Sequence, residues 1–211
     1  MDGGSRRIGK IVLQEYSPMT SGFFVASLVF FALILPSPGT NAVFAQQPPA
    51  SGRPTGEKLA PYYPTPETIV DRMLEFGQLK ADERMYDLGS GDGRIVIMAA
   101  QKYHAEATGI ELDGDLYISS EAKIRKLGLQ KSARIVHGDI LTQNYSDADL
   151  ITVDLLPDSN IKLRPVLEAQ LKKGTRVVAH DFGIGGWVPT KTLTIPDDGE
   201  GRSHTLFLYI R

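Results

Sequence analysis

The sequence from residue 61 onward predicts an α/β fold, in which a mostly parallel seven-stranded sheet ends in an antiparallel strand pair. Three observations support this prediction. Short apolar runs alternate with segments of helical period, which is typical of a parallel sheet. The glycine-rich stretch GSGDG, residues 89–93, stands between the first strand and the following helix. After residue 182 the helical period is lost, and two strand-like runs joined by the turn PDDGEGR remain.

The first expected helix begins after Thr65 as N-cap, with Pro66 at its first position, and ends at Gly77. Five buried strands are then expected along the chain. They span residues 84–88, 106–112, 133–139, 149–156 and 175–182.

Helices are expected between these strands, over residues 93–103, over a segment that Gly128 ends, and over roughly 160–173. In the second of these, one face is marked by Leu116, Ser120, Ile124 and Leu127. Pro165 is compatible with the third only in its first turn. The final strands are expected around 188–195 and 204–210.

Residues 1–45 are expected to form a signal peptide or an N-terminal membrane anchor, because basic residues precede the apolar run 23–35 and small residues follow it. The run is short for a membrane-spanning helix, which needs about 20 residues. A wrongly assigned start is a third interpretation. Residues 46–60 read as a flexible linker, and 61–211 as the folded domain. Because Arg53 is the first basic residue after the run, the domain is expected to be exported, periplasmic or extracellular, or held at the membrane on its far side.

Composition excludes several kinds of chemistry. The chain has no cysteine, so disulfides, thiol nucleophiles and cysteine-ligated zinc are excluded. With no H-x-x-x-H spacing either, we expect no metal site. The formal net charge of -2 gives no reason to expect a nucleic-acid partner.

Carboxylates follow the strands around the glycine-rich turn. Asp87 ends the first strand, Glu111 the second, and Asp139 follows the third. The carboxyl ends of neighbouring parallel strands are where open α/β sheets bind ligands. The G-x-G-x-G spacing differs from the dinucleotide fingerprint G-x-G-x-x-G, and carboxylates would repel a phosphate. A glycine turn that only packs a helix against a strand is the alternative interpretation.

S-adenosylmethionine fits this set because it has no phosphate. Asp87 can receive its α-ammonium, directly or through water, and Glu111 its ribose hydroxyls. Asp139 can accept from the adenine amine, while the glycines let the backbone approach the methionine portion. The expected cofactor is therefore S-adenosyl-L-methionine.

The stretches YDLGSGDGRIV, GIELD and HGD resemble the class I S-adenosylmethionine-dependent methyltransferases, which have a Rossmann-like fold. PYYPTPETIVDRML and LLPDSNIKLRP are similar to a small family that includes the mitochondrial ATP synthase c-subunit lysine methyltransferase. The resemblance implies that Tyr62, Tyr63 and Thr65 border the donor pocket and that Asp154 to Pro157 lie where the acceptor approaches. The expected donor-binding residues are Tyr63, Thr65, Asp87, Gly89, Ser90, Gly91, Gly93, Glu111, Asp139 and Ile140.

On the acceptor side the expected residues are Tyr62, Leu156 and Pro157, with Asp154 as the catalytic candidate that orients or deprotonates an amine. Asp154 as a cap of the next turn is the alternative. The expected acceptor is a nucleophile, first a protein lysine, for instance of a membrane protein, and second a small-molecule oxygen or nitrogen. An exported binding protein or scaffold without catalysis and a nicotinamide-dependent oxidoreductase are the other classes considered.

Overall fold

The computed structural model describes residue 56 and residues 61–211. The expected signal or anchor segment 1–45 lies outside these residues, as does the expected linker apart from Gly56. Within the described part, no helix is both long and apolar enough to cross a membrane.

Four helices and seven strands form the described domain. The helices are α1 (Glu67–Phe76), α2 (Arg94–Tyr103), α3 (Gly114–Lys126) and α4 (Pro157–Gln170). The strands are β1 (Arg84–Leu88), β2 (Glu106–Glu111), β3 (Ala133–His137), β4 (Leu150–Val153), β5 (Arg176–His180), β6 (Lys191–Ile195) and β7 (His204–Ile210).

All seven strands belong to one sheet, in the order β3-β2-β1-β4-β5-β7-β6. The first five are mutually parallel, whereas β7 runs antiparallel to both β5 and β6. The predicted fold class is therefore confirmed. The strand order reverses direction at β1 and β4, so the carboxyl ends of these two neighbours flank the switch point at which such sheets bind ligands.

The sheet is covered on both faces. Neighbouring residues of one strand belong to different apolar clusters, as Leu150 and Ile151 of β4 do, since side chains alternate across a sheet. One cluster contains the buried face of α1, formed by Ile69, Val70, Met73 and Leu74, together with residues of α2 and α3. The other contains Leu163 and Leu167 of α4. These two layers fix the strands whose ends carry the site.

The start of α1 differs from the expectation. Pro66, not Thr65, is the N-cap residue, and the helix begins at Glu67. The Thr65 hydroxyl donates instead to Asp154 Oδ2 at 2.6 Å. A carboxylate from a distant strand therefore takes the hydroxyl that would otherwise cap the helix.

The course of α4 was also predicted wrongly. The helix begins three residues earlier than expected, at Pro157, and Pro165 lies in its interior. Pro165 and Ile161, whose carbonyl loses its usual N–H partner, are both exposed, so water can satisfy that carbonyl. Leu127, expected on the marked face of the third helix, is exposed after the end of α3, and Val188, expected to begin a strand, is exposed ahead of β6.

Candidate active site

The glycine-rich turn carries the chain from β1 into α2 with an unusual backbone. Gly89, Gly91 and Gly93 all have positive φ angles, of 82°, 54° and 79°. The N–H groups of Gly89 and Ser90 both donate to the Ile110 carbonyl at 3.0 Å, which ties the turn to β2. A Cβ at Gly91 would meet the Tyr62 ring at 2.8 Å. The sequence therefore needs glycine here both for backbone conformation and for space.

Glu111 is fixed by backbone donors at the end of β2. Its Oε2 accepts from Gly91 N–H at 2.7 Å and its Oε1 from Asp113 N–H at 2.8 Å. The residue is 8% exposed. Each oxygen has further acceptor capacity beyond these bonds, so the carboxylate can receive a pair of ligand hydroxyls without moving.

Asp87 is buried at the end of β1, and only one of its oxygens has a hydrogen-bond partner. Thr152 Oγ donates to Oδ1 at 2.7 Å, while Oδ2 has no partner. Burial raises the pKa of Asp87 to about 7; the Thr152 hydrogen bond opposes the shift, and the nearby carboxylates of Asp154, Glu111 and Asp92 add to it. A buried carboxylate with one unpaired oxygen and a raised pKa is suited to a cationic ligand group, which would restore its charged form.

Asp139 and Ile140 follow β3 at the far end of the same cleft. Asp139 Oδ1 accepts from Leu141 N–H at 2.8 Å, and its carbonyl accepts from Thr142 and Gln143. These bonds orient the loop so that Asp139 and Ile140 both line the cleft. A ligand amine that donates a hydrogen bond at this end of the cleft would meet the Asp139 carboxylate, whose orientation is already fixed.

The segment before α1 closes the cleft. Arg94 Nη1 donates to the Thr65 carbonyl at 2.8 Å, while its other nitrogens form an ion pair with Asp92. Asp92 also binds Lys123 Nζ at 2.9 Å. Burial opposes a low pKa at Asp92, but these two cations lower it to about 2. Arg94 thus links the glycine turn to the segment that carries Tyr62 and Tyr63.

We name the resulting space the glycine cleft; its empty volume is about 840 Å³, counting its open mouth. The predicted donor residues that line it are Tyr63, Thr65, Asp87, Gly89, Ser90, Gly91, Glu111, Asp139 and Ile140, together with Tyr62 and Asp154. Gly93 instead sits one step away as the N-cap of α2.

The residues of the glycine cleft fit S-adenosylmethionine. Asp87 Oδ2 and Ser90 Oγ are both buried without a partner, which marks a place for polar ligand groups. Five acidic residues and one arginine line the same space, so a phosphate would be repelled, whereas ammonium, ribose and adenine amine groups each supply donors. Because Gly89 and Gly91 lack Cβ atoms, Leu155 and Tyr62 can pack close to the backbone of the turn along the wall of this space.

A second space, which we name the histidine cleft, adjoins the glycine cleft. Its empty volume is about 760 Å³, and it shares Tyr63, Thr65, Asp154 and Leu155 with the glycine cleft. Leu156, His180, Asp181, Phe182 and Arg202 complete most of its wall. Asp154 therefore lies between the two clefts, where a methyl donor and a methyl acceptor would meet.

Asp154 has a close polar neighbour at each oxygen. Thr65 donates to Oδ2, and His180 Nδ1 lies 2.9 Å from Oδ1. Burial opposes ionisation of Asp154, but contacts with His180, Thr65 and Arg202 outweigh it and lower its pKa. The carboxylate is therefore charged at neutral pH and suited to bind an ammonium group.

The two expected acceptor-side residues that follow Asp154 differ in their positions. Leu156 lines the histidine cleft, but its carbonyl accepts from Asn160 N–H at 3.0 Å in the first turn of α4. Pro157 is the first residue of α4 and is absent from the lining of both clefts in the described part of the chain. Trp187 donates to Glu168 and packs edge-on against Tyr209, which is a structural role.

Sequence reasoning missed a histidine pair. The sequence places His180 and His204 on separate elements, but β7 pairs with β5 and brings His180 Nε2 to 2.8 Å from His204 Nδ1. His204 Nε2 in turn contacts Asp198 Oδ2 at 3.0 Å. The sequence showed only that one histidine is the last residue of β5 and the other is the first residue of β7. The strand order is needed to show that the two are neighbours.

His180, Asp181 and His204 hold atoms able to ligate a metal within 4.8 Å of one another. The 2.8 Å between the two nitrogens is a hydrogen-bond distance. Two nitrogens on tetrahedral zinc, each about 2.0–2.1 Å from the metal, lie about 3.3 Å apart. Asp181 is also engaged on both oxygens, by Thr205 N–H and Arg202. The geometry therefore favours a hydrogen-bonded network over a metal centre.

This fold and cleft define a class I S-adenosylmethionine-dependent methyltransferase. Residues 87–191 match the family model described as the ANTKMT methyltransferase domain. A protein-lysine N-methyltransferase of Saccharolobus islandicus is 42% identical over 151 residues, which is 71% of this chain and 92% of that protein. The ATP synthase C-subunit lysine N-methyltransferase of Rattus norvegicus is 28% identical over 81% of this chain and 75% of that protein.

A solved structure supports the same assignment. The crystal structure of an RNA methyltransferase from Salinibacter ruber in complex with S-adenosyl-L-homocysteine is 42% identical. It superposes with a TM-score of 0.63, covering 69% of this chain and 93% of that one. The chain belongs to the ANTKMT methyltransferase domain family, and it is a methyltransferase. The oxidoreductase and non-catalytic interpretations are not favoured.

The raised pKa of Asp87 makes donor binding dependent on pH. Below about pH 7 Asp87 must lose a proton before it can pair with the donor's ammonium, so affinity for S-adenosylmethionine should fall by up to about tenfold per pH unit there and level off above it. Calorimetric titration in buffers of different ionisation enthalpy should detect proton release on the acidic side. In Asp87→Asn, which can still accept from Thr152, binding should be weaker and independent of pH. Constant affinity in the native chain, without proton release, would show that Asp87 does not meet the ammonium.

Alanine at Gly91 should impair donor binding more than alanine at another left-handed glycine. Gly128 has a φ of 72° and no atom within 4 Å of an added Cβ, so it serves as the matched control. Both substitutions should lower the free energy of unfolding by about 1–2 kcal/mol because of the backbone conformation. Only Gly91→Ala should weaken S-adenosylhomocysteine binding, by tenfold or more. The added Cβ displaces the Tyr62 ring and shifts the Gly91 N–H group that donates to Glu111. Equal affinities of the two variants would refute the role of the turn.

Proposed function

We propose that this enzyme methylates the side-chain amine of a protein lysine, using S-adenosylmethionine as donor. The observation that carries the proposal is the position of Asp154, a charged carboxylate with 29% of its side chain exposed, between the glycine cleft and the histidine cleft. An ammonium group that enters the histidine cleft meets this carboxylate next to the donor site.

The walls of the histidine cleft suit a lysine. Asp154 and Asp181 line the cleft and carry negative charge, and the charge of Asp181 is paired with Arg202. Tyr63, Leu156 and Phe182 are 70%, 43% and 43% exposed and line the same cleft. A cation at the end of an aliphatic stem is the chemistry that such walls recognise, because the stem packs on apolar surface and the charge is paired.

We name Tyr63, Leu156 and Phe182 the apolar rim of the histidine cleft. This rim supports an acceptor on a protein surface that is itself apolar, such as that of a membrane protein. The relatives named above as lysine methyltransferases support the same substrate class. The solved structure named an RNA methyltransferase raises nucleic acid as a second candidate, but a net charge of -2 disfavours it, because RNA binders concentrate positive charge.

Catalysis then depends on positioning. The donor supplies an electrophilic methyl group on a sulfonium, and the chain has to present an unprotonated amine in line with it. Thr65 holds Asp154, Asp154 orients the amine, and the apolar rim excludes water. Loss of the amine proton is the one chemical step that the protein itself has to assist.

The acceptor class can be tested with labelled methyl donor. Full-length enzyme is incubated with proteins of a membrane extract or, separately, with total RNA. The label should enter protein and be recovered as methyllysine after acid hydrolysis. Asp154→Asn should lower incorporation by about 10²-fold or more, because the neutral amide neither pairs with the ammonium nor takes its proton. Label recovered in RNA nucleosides instead of lysine would overturn the proposal.

We also propose that residues 1–45 export the domain or tether it to a membrane, which would bring the apolar rim close to acceptors in that membrane. Fractionation of cells that express the full chain, beside a chain beginning at residue 46, tests this. The full chain should sediment with membranes or be recovered outside the cytosol, and the shortened chain should not. Identical distribution of the two in the cytosol would refute the proposed address.

A further inference from the structure

We propose that His180, prepared by His204 and Asp198, is the proton acceptor behind Asp154. On this account the lysine proton passes through Asp154 to His180 Nδ1 before methyl transfer. The inference rests on the proposed function for its substrate, but its main evidence is the order of hydrogen bonds in the histidine network.

The network can be followed inward from Asp198. Its side chain accepts from His204 Nε2 and from backbone N–H groups of Glu200 and Arg202, at 3.0, 2.8 and 3.2 Å. The hydrogen bond from His204 is the largest of the effects that lower the pKa of Asp198 to about 2. A charged carboxylate can only accept, so His204 Nε2 carries the hydrogen.

The tautomer of His180 follows from that of His204. With its hydrogen on Nε2, neutral His204 has a lone pair on Nδ1, and this atom lies 2.8 Å from His180 Nε2. With both rings neutral, His180 Nε2 donates to this atom and His180 Nδ1 keeps a lone pair. Both rings are buried, at 3% and 1% exposed, so water does not reverse this order.

The lone pair on His180 Nδ1 lies next to the carboxylate of Asp154. Nδ1 is buried without a hydrogen-bond partner, although Asp154 Oδ1 is only 2.9 Å away. Two acceptor atoms in such a contact repel each other unless a proton lies between them. The site is therefore arranged to gain a proton, and Asp154 is the exposed member of the pair through which that proton arrives.

The charged groups that surround His180 come from several elements of the fold. Asp154 faces Nδ1 from the end of β4, and Asp181 Oδ1 lies 3.4 Å from Nε2. Asp198 acts through His204, and Arg202, bound to Asp181 Oδ2, opposes them. Tyr63, whose ring lies 5.5 Å from the Arg202 guanidinium, lines the same cleft. An imidazolium would thus face three carboxylates and one guanidinium.

The proposed step balances as follows. An N–H bond of the lysine ammonium breaks, and its electron pair stays on Nζ as the nucleophilic lone pair. The proton binds Asp154 Oδ1 and passes to His180 Nδ1, where the imidazole lone pair forms the new N–H bond. His180 is thus a relay and positioning residue, while Asp154 is the catalytic residue that touches the amine.

The first test reads the tautomers directly and needs no acceptor. Long-range ¹H–¹⁵N spectra of the ring nitrogens at neutral pH, assigned with His180→Gln and His204→Gln, should show hydrogen on Nε2 of both rings and none on His180 Nδ1. Hydrogen on His180 Nδ1 in the free enzyme would overturn the proposal.

The second test separates proton transfer from structure by variants of the full chain. His180→Gln should lower kcat for lysine methylation by about 10²–10⁴-fold while KM and S-adenosylhomocysteine affinity change little. His204→Gln, whose amide can accept from His180 and donate to Asp198, should retain far more activity than His204→Phe. His104→Asn, at an exposed residue beyond α2, should match the native enzyme.

Two results would contradict different claims. Native kcat in His180→Gln, or equal activity of the two His204 variants, would refute the relay and leave the proposed function intact. A native enzyme that binds S-adenosylhomocysteine but methylates no lysine would refute the proposed function, and the ring-nitrogen spectra would still decide the order of the network.

Discussion

Accumulation of carboxylates at one edge of the sheet is the constraint on which the rest of the site depends. Asp87, Glu111 and Asp154 end or follow strands that lie side by side, and Asp87 is buried among the others. Such a set is costly to bury unless each charge meets a donor or a proton. Backbone N–H groups satisfy Glu111, and the Thr65 hydroxyl donates to Asp154, whereas Asp87 keeps one oxygen free and has a raised pKa. The cleft is thus prepared for a ligand that carries positive charge and hydroxyl groups.

The same constraint divides the site into two halves with different chemistry. In the glycine cleft, backbone N–H groups balance the charge of Glu111, and the unpaired oxygen of Asp87 can bind the ammonium group of S-adenosylmethionine. In the histidine cleft, charge is balanced by side chains that exchange protons. Asp154 belongs to both, so it couples the position of the donor to the deprotonation of the acceptor.

Much of this could be predicted from the sequence, and the limits have physical reasons. The strand ends that carry Asp87, Glu111 and Asp139 follow from apolar runs and glycine spacing, because these are local signals. The hydrogen bond from Thr65 to Asp154 could not be predicted, since it spans 89 residues and replaces a local cap. The pairing of His180 with His204 required knowing that β7 lies between β5 and β6. Pro165 was expected in the first turn of its helix but lies in the interior of α4. A proline is tolerated there because that side of the helix is exposed, which the sequence alone does not show.

The central claim is that the carboxylates select a phosphate-free, cationic nucleoside. The most direct measurement is a pair of calorimetric titrations of the full-length enzyme, one with S-adenosylhomocysteine and one with NADH. The account predicts micromolar binding of S-adenosylhomocysteine, weakened at least tenfold by Glu111→Ala, and no measurable binding of NADH. Binding of NADH with comparable affinity, or no binding of S-adenosylhomocysteine to the folded enzyme, would contradict it.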